Sequence, residues 1–338
     1  MELRTLGIDL GKATFYAVGL NERGAVALRK KFSRVQLLRF TANLKVALIG
    51  MEACGGAHFL GRILRKQGHE VRLIPAQYVK PFVKTNKNDF NDAEAICEAA
   101  SRPSMRFVTP KTIEQEDLQA VHRIRSRLVE ERTALINQIR GLLAEYGIVI
   151  SQGINNVRKK LPEVLEDGEN ELSVRGRELF ADLYEELCEK DKRVETYDAR
   201  LNVIFKANDM CQKISKIEGV GPITATAIVA AIGDPKVFKN GRHFAAFLGL
   251  VPKQSSSGGK ERLLGISKRG NIYVRSLLIH GGRAVVRTVD KKDDSRSRWI
   301  KKLKERKCTN KVAVAVANKN ARIIWALLAK NEQYRKAS

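Results

Sequence analysis

Hydrophobic and polar positions change their period several times along the chain. In residues 1–110, short apolar runs such as "LRTLGIDLG" and "ATFYAVGL" alternate with turn residues, as strands joined by hairpins do. "VALIGMEACGG" is a continuous apolar run, which is typical of a strand buried on both faces. "VQLLRFTANL" and "AHFLGRILRKQGH" have helical spacing instead. The predicted order is β-β-β-α-β-α-β-α.

This order predicts a mixed α/β domain over residues 1–110, and it is the order of the ribonuclease H-like fold. From Ile113 to Tyr146 the apolar residues change to heptad-like spacing, and residues 170–206 form a second long helical segment. We expect the two helices to pair as an antiparallel hairpin within a helical region of residues 111–210. The seam residues of the first helix are Val121, Ile124, Leu128, Leu135, Ile139 and Leu142.

Residues 211–338 are predicted to form a mainly α-helical C-terminal domain. In "ISKIEGVGPITATAIVAAIGD", two apolar helices flank Gly219 and Gly221, as in a helix-hairpin-helix motif. Glycines at such a turn allow the backbone to approach a phosphate, toward which the amides of the second helix point. The stretch "KQSSSGGK" (253–260) follows, and its serines and glycines have the composition of a flexible linker.

The charge of the chain points to its partner. The 338 residues carry a formal net charge of +25, which favours a polyanion and makes nucleic acid the expected partner. We identify no apolar run long enough to span a bilayer and no secretion signal. The five scattered cysteines lack metal-binding spacing, so we expect reduced thiols in a cytoplasmic protein.

The N-terminal region contains four acidic residues that are candidates for a catalytic metal site. Asp9 and Glu52 end two apolar strands, while Asp89 and Asp92 lie three residues apart at a helix start. If the two strands are parallel neighbours, all four carboxylates meet at one sheet edge, where Mg²⁺ or Mn²⁺ would relieve their repulsion. Spacing alone leaves Glu94 as an alternative to Asp92, and "GIDLGK" also fits the phosphate loop of sugar-kinase and actin-type ATPases.

Several blocks together resemble one family. "GIDLGKATFYAV", "GMEACGGAHFLGRIL", "KNDFNDAEA" and "FLGLVPKQSSSGGK" followed by "GISKRGN" are similar to the insertion-sequence-one-ten transposases, most of all to their eleven-eleven group. The resemblance covers nearly the whole chain. It implies a RuvC-like domain with an Asp-Glu-Asp-Asp set at Asp9, Glu52, Asp89 and Asp92, a coiled-coil insertion, and a C-terminal transposase domain.

The resemblance also implies a serine nucleophile at Ser257, before Gly258 and five residues after Pro252. Composition alone leaves Ser255 and Ser256 as equal candidates. Family members excise and insert their element as homo-oligomers, so a dimer to tetramer is expected. They act on donor and target DNA, guided by a structured non-coding RNA that the element encodes. Candidate nucleic-acid contacts are Gly219, Gly221, Lys260, Arg262, Lys268, Arg269, Arg123 and Arg125.

Two other functions remain open at this point. One is a metal-dependent junction nuclease that hydrolyses DNA with water, in which the serine stretch is only a linker. The other is a nucleic-acid-binding protein without catalysis, for which a helix-hairpin-helix and a basic tail would suffice.

Overall fold

The N-terminal part of the chain forms a mixed α/β unit. The computed structural model describes residues 3–84 and 88–335, which divide into two compact units, Met1–Glu114 and Gln115–Ser338. The predicted order of strands and helices is confirmed in the first unit. Its elements are β1 (Leu3–Leu10), β2 (Phe15–Leu20), β3 (Val26–Phe32), α1 (Arg34–Ala42), β4 (Val46–Glu52), α2 (Ala57–Lys66), β5 (Val71–Ile74), α3 (Ala76–Val79) and α4 (Asp89–Ser101).

The five strands form one sheet in the order β3-β2-β1-β4-β5. Strand β2 is antiparallel to β1 and β3, whereas β1, β4 and β5 are mutually parallel. One face of the sheet, with Ile8 and Met51, packs with α1 and α2 in a core that includes Leu37 and Leu64. The opposite face is covered by α4.

Two paired glycines allow α4 to lie close to the sheet. Gly7 and Gly50 are register partners in β1 and β4. A Cβ atom on Gly7 would lie 2.2 Å from the Ala93 carbonyl oxygen, and one on Gly50 would lie 2.6 Å from the Ala100 Cβ. Any side chain at these positions would therefore push α4 away from the ends of the central strands.

The C-terminal unit is mainly helical, as predicted. Its first helix begins two residues before the unit boundary, and its only strands among the described residues are two short ones. The elements are α5 (Ile113–Ala144), α6 (Ile154–Glu166), α7 (Val174–Ala207), α8 (Asp209–Ser215), α9 (Pro222–Ala231), α10 (Gly241–Phe247), β6 (Pro252–Gln254), β7 (Leu263–Ile266), α11 (Ile272–Thr288), α12 (Ser295–Lys304) and α13 (Thr309–Ala329).

The long helices α5 and α7 pack against each other in antiparallel directions. Arg125 pairs with Asp198, and seven residues further along α5 Arg132 pairs with Asp191 at 3.0 Å, seven residues earlier on α7. From Phe180 onward, the buried residues of α7 recur every seven positions, as a heptad pattern requires. They are Phe180, Leu187, Val194 and Leu201.

On α5 the predicted seam is only partly observed. Leu128, Leu135 and Ile139 are buried, but Leu142 is 43% exposed and its neighbour Leu143 is buried in its place. Near the start of the helix, the buried residue is His122. Its Nδ1 forms a hydrogen bond with the Tyr273 hydroxyl and its Nε2 forms one with the Thr226 hydroxyl, both at 3.1 Å. Burial keeps this imidazole neutral, lowering its pKa to about 4. Apolar periodicity could not identify a buried histidine.

Helix α13 contradicts the expectation that no apolar run is long enough to span a bilayer. Its 21 residues have the length and composition of a membrane-spanning helix, with a mean hydropathy of 1.3 over the most apolar stretch. Its apolar side packs into the two cores of the C-terminal unit, through Ala317 and Ile324 in one and Val312 and Val316 in the other. The helix is thus part of the protein interior.

The segment that contains Gly219 and Gly221 folds as helix, turn and helix. Gly219 has φ +85°, and a Cβ there would lie 2.7 Å from the Gly281 carbonyl oxygen on α11. Gly221 precedes α9 with φ −85°, and a Cβ there would meet open space. Gly219 therefore serves close packing of the turn on α11, whereas Gly221 lies on the accessible side.

Candidate active site

The strand ends of the N-terminal unit bring the predicted acids together. Ile8 and Met51 are the last register partners of the parallel strands β1 and β4, so Asp9 and Glu52 follow side by side at the same end. Asp9 lies two residues after Gly7 and Glu52 two residues after Gly50. Both side chains therefore point to the face that α4 covers.

Helix α4 supplies the other two carboxylates from its first turn. The side chain of Asn88 caps this helix by accepting a hydrogen bond from the Phe90 amide at 2.9 Å. Carboxylate oxygens of Asp9, Asp89 and Asp92 all lie within 4.8 Å of one another. Glu52 lies next to this group. Beyond the effect of burial, its negative charge raises the pKa of Asp9, and the charge of Asp92 raises the pKa of Glu52.

Burial and the crowding of these carboxylates raise the pKa of two of them, Asp9 and Glu52. Partial burial, followed by the charges of Asp92, Asp89 and Glu52, raises the pKa of Asp9 to about 6. Burial and the Asp92 charge also raise the pKa of Glu52. A hard divalent cation fits such a site, because it offers several convergent carboxylate oxygens whose mutual repulsion a cation removes. Asp9, Asp89 and Asp92 are the residues that could hold it, with Glu52 beside them.

Glu94, the alternative to Asp92, points elsewhere. Its carboxylate pairs with the guanidinium of Arg29 at 2.8 Å, on strand β3. The structure thus separates two acids that sequence spacing could not distinguish.

Tyr16 also belongs to this site, although no sequence pattern identifies it. It is the register partner of Asp9 across β1 and β2, and its hydroxyl donates a hydrogen bond to Asp89. Its ring packs edge to face on Phe90, with 5.0 Å between ring centroids. Partial burial and the neighbouring charges of Asp89 and Asp9 raise the pKa of Tyr16, so the hydroxyl keeps its proton. Only the antiparallel register of β1 and β2 could have revealed it.

The serine stretch is a β-hairpin and not a linker. Gly258 and Gly259 have φ +54° and +75°, the two positive values that a type I′ turn requires. The Lys260 amide donates to the Ser257 carbonyl at 3.0 Å, and the Ser255 amide donates to the Arg262 carbonyl at 2.9 Å. Two residues that look like flexible spacers are therefore the turn of an ordered hairpin.

The register of this hairpin sorts its side chains into two faces. Ser257 pairs with Lys260, and Gln254 pairs with Leu263. Side chains alternate along a strand, so Ser255, Ser257, Lys260 and Arg262 share one face. Gln254, Ser256 and Glu261 lie on the other. The Ser256 hydroxyl accepts hydrogen bonds from the Gln254 side chain at 3.1 Å and the Arg262 amide at 3.4 Å. Ser257 thus has cations on its own face, with the acid Glu261 on the far one.

The remaining predicted contacts fall in different surroundings. Lys268, with φ +55°, and Arg269 lie in the turn after β7, away from the hairpin tip. Arg275, a buried arginine, donates to the Arg269 and Leu248 carbonyls and fixes that turn to the end of α10. On α5, Arg123 is exposed, whereas the Arg125 side chain is only 16% exposed because it pairs with Asp198.

Of the five cysteines, Cys54 lies near the acidic site, where burial and the charges of Glu52 and Asp9 raise its thiol pKa. All five are free thiols, and burial raises the pKa of Cys97 and of Cys211 to about 12.

Comparison with known proteins identifies the family. Residues 6–148 match the DEDD transposases of IS110 elements, described as "Transposase", and residues 211–299 match the "Transposase IS116/IS110/IS902 family". The chain is 48% identical over 334 residues to the "Transposase for insertion sequence element IS1111A" of Coxiella burnetii, covering 99% of this chain and 92% of that one.

Two further relatives agree. A "Probable family 20 transposase" of Pseudomonas aeruginosa is 47% identical, with 99% of each chain covered. The "Transposase for insertion sequence element IS1328" of Yersinia enterocolitica is 42% identical, covering 95% of this chain and 96% of the relative. A DEDD transposase family implies the use of divalent metal ions, in agreement with the acidic site described above. The chain belongs to the IS110/IS116/IS902 family of transposases, enzymes that cleave and join DNA.

Proposed function

We propose that this transposase excises and inserts its insertion sequence by phosphoryl transfer, with Ser257 as nucleophile and Mg²⁺ bound among Asp9, Glu52, Asp89 and Asp92. The observation that carries the proposal is the hairpin face on which Ser257 stands with Lys260 and Arg262. Two cations on this face attract a DNA phosphate, and the glycine turn removes side chains that would obstruct its approach.

The reaction is a transesterification. The Ser257 Oγ attacks the scissile phosphorus and loses its proton, the bond from phosphorus to the 3′ oxygen breaks, and that oxygen leaves as a 3′-hydroxyl. A 3′-hydroxyl of the new strand then attacks the phosphoserine and displaces the serine. One phosphoester bond replaces another at each step, so no nucleotide hydrolysis is needed.

Each group has a task in this scheme. Lys260 and Arg262 hold the phosphate and offset the charge that develops on its oxygens. Asp9, Asp89 and Asp92, with Glu52 beside them, would hold the cation, and Tyr16 orients Asp89 by donating a hydrogen bond to it. When bound, a divalent cation would supply positive charge for the phosphoryl oxygens and favour the ionised form of an attacking hydroxyl.

The fold of the first unit supports this assignment. We propose a ribonuclease H-like, RuvC-like domain, because the β3-β2-β1-β4-β5 order with β2 antiparallel is the arrangement expected of that fold. The acids at the ends of the adjacent parallel strands β1 and β4 occupy the position expected of a RuvC-like site.

The partners follow from charge and family. We propose donor and target DNA as substrates, a structured RNA encoded by the element as guide, and a homo-oligomer of two to four chains. If base pairing with the RNA supplies the sequence specificity, the side chains of the protein need to contact only sugar-phosphate backbones. Gly221 and the exposed Arg123 are proposed contacts to nucleic-acid backbones. We place Gly221 within a helix-hairpin-helix and Arg123 on a coiled coil formed by α5 and α7.

Trapping of a covalent adduct tests the proposal. The purified protein, with its co-purified RNA, is incubated with labelled element-end DNA and Mg²⁺, and denatured. We expect a protein–DNA adduct whose linked peptide contains Ser257. The acidic site alone also fits a metal-dependent Holliday-junction nuclease, which would cleave with water. Cleavage without any adduct, unchanged by Ser257→Ala, would establish the nuclease instead.

A further inference from the structure

A basic groove begins at the foot of the serine hairpin. Its cavity volume is about 1590 Å³, and Pro252 and Ile266, the outer ends of the two hairpin strands, line it. We call it the hairpin groove. One wall is a face of α13, and the other is formed by the start of α10, by Trp299 on α12 and by residues 332–335.

The lining of the hairpin groove is strongly unbalanced in charge. Its only carboxylate among the described residues, Glu332, lies 3.6 Å from Lys330. Within residues 3–84 and 88–335, no carboxylate lies within ion-pair distance of any of the five cations of the lining. These cations are Arg242, Lys311, Lys319, Arg322 and Arg335.

The cations on α13 are held in place and crowded. The Lys319 ammonium lies 4.2 Å from the centroid of the Trp299 ring, and the Gly241 position lies against the backbone of Arg322. Burial and the neighbouring charges of Arg296 and Arg322 lower the pKa of Lys319. An anion in the groove would relieve this repulsion, so the groove favours a ligand with several negative charges.

The spacing of the cations fits a nucleic-acid backbone. Lys311 and Arg322 lie eleven residues apart on one helix, or about 16 Å at 1.5 Å per residue. One strand of duplex DNA carries about five phosphates over that length, at one per 3.4 Å of helix axis. The amide side chains of Asn240 and Gln333 add neutral donors along the same lining.

The position of the groove selects DNA over RNA. Its foot lies five residues before Ser257, at most about 17 Å away at 3.3 Å per extended residue. A DNA strand that spans this distance would connect the groove with the phosphate offered to the serine face, about five nucleotides away.

We propose that the hairpin groove binds the sugar-phosphate backbone of the DNA strand that Ser257 attacks, several nucleotides from the scissile phosphate. The location of the reacting strand rests on the proposed serine chemistry. The choice of DNA as the ligand of the groove rests on the same chemistry, but binding in the groove can be measured separately, without any covalent step.

The test removes two groove cations from the full-length chain. The variant is Lys311→Gln with Arg322→Gln. The control is Lys302→Gln with Lys307→Gln, which removes two exposed charges outside the lining. Both proteins are measured on a 40-base-pair DNA duplex and on a 40-nucleotide RNA of the same sequence, at several salt concentrations. Circular dichroism melting checks that both variants fold.

We expect the groove variant to bind the duplex roughly tenfold more weakly, with the slope of log K against log salt smaller by about two, since each lost phosphate contact removes about 0.9. The control should keep nearly the wild-type slope. An unchanged slope, or an equal loss in the control, would overturn the proposal. A loss confined to RNA would make the groove an RNA site and also overturn it.

A second measurement separates this proposal from the serine chemistry. Ser257→Ala should keep the wild-type salt slope, while the groove variant of an otherwise active protein should lose adduct in proportion to lost binding. If no adduct forms in wild type but the groove variant still loses duplex affinity, the serine mechanism fails and the groove remains a DNA site. Ethylation of phosphates about five nucleotides from the linked one should reduce adduct formation. Interference only elsewhere would contradict the assigned strand.

Discussion

Ser257 and Lys260 face each other across a two-residue turn, and the Lys260 amide donates a hydrogen bond to the Ser257 carbonyl at 3.0 Å. Cross-strand partners have Cβ atoms about 5 Å apart, so the serine hydroxyl and the lysine stem are neighbours on one face. A stretch with the composition of a linker therefore forms an ordered hairpin that holds a hydroxyl beside a cation.

The three serines should therefore differ in their effects. We expect Ser257→Ala to abolish excision in cells while leaving nucleic-acid binding intact, since the hydroxyl contributes little to affinity. Ser256→Ala, which removes hydrogen bonds inside the hairpin, should retain activity with a loss of stability of about 1 kcal/mol or less. Ser255→Ala is the matched control on the reactive face. Full activity of Ser257→Ala with loss in Ser255→Ala would move the nucleophile to Ser255.

The acidic site predicts a pH dependence of stability in the absence of metal. The pKa of Asp9 is about 6 in the folded protein against 3.8 for the free side chain. The folded state thus binds this proton more tightly, so the stabilisation is complete below about pH 4 and is lost as the pH rises through 6. Asp9→Asn lacks this loss. After allowing for solvent screening, it should exceed wild type at pH 7 by about 1–2 kcal/mol in denaturant unfolding with EDTA.

The same pair of proteins tests the metal. Added Mg²⁺ should stabilise wild type and have much less effect on Asp9→Asn, while EDTA should abolish recombination. Identical pH profiles of the two proteins, or full activity in EDTA, would contradict the assigned site.

Tyr16 should act on activity through Asp89. Tyr16→Phe keeps the ring contact with Phe90 and removes only the hydroxyl that donates to Asp89. We expect the Mg²⁺ concentration for half-maximal recombination to rise several-fold with little change in thermal stability, since a carboxylate without its donor is less well oriented. Tyr78→Phe, in the same unit, is the control. An unchanged Mg²⁺ requirement would assign the hydroxyl no positioning role.

The two glycines of the turn before α9 should separate packing from binding. Gly219→Ala should destabilise the protein by several kcal/mol, because the added methyl would overlap the Gly281 carbonyl in a left-handed conformation. Gly221→Ala meets open space and should leave the melting temperature nearly unchanged. If the Gly221 backbone approaches a phosphate, this variant should nonetheless bind duplex DNA more weakly. Wild-type affinity would exclude that contact.

Arg125 and Arg123 should differ in the same way. Arg125→Ala leaves Asp198 without its partner between α5 and α7, and should cost about 1–3 kcal/mol in unfolding experiments. Arg123→Ala should leave stability unchanged and weaken RNA binding in a salt-dependent manner. Equal stability losses in the two variants would show that the ion pair does not support the helix pair.

The sequence by itself determined the order of elements in the first unit and the helical nature of the second. Both follow from the period of apolar residues, which reports on local geometry. It also singled out the acids, since Asp9 and Glu52 end apolar strands and Asp89 begins a helix. The choice of Ser257 came from family resemblance, because three adjacent serines have the same local pattern.

Only the tertiary structure decided which residues meet. Sequence spacing could not distinguish Glu94 from Asp92, whereas the structure pairs Glu94 with Arg29, 65 positions away, and brings Asp92 to Asp9 and Asp89. Tyr16 entered the site through strand register, and the Gly7–Gly50 pair through the approach of α4. Such contacts join positions far apart in the chain, and their free energy comes from packing and charge that no local pattern records.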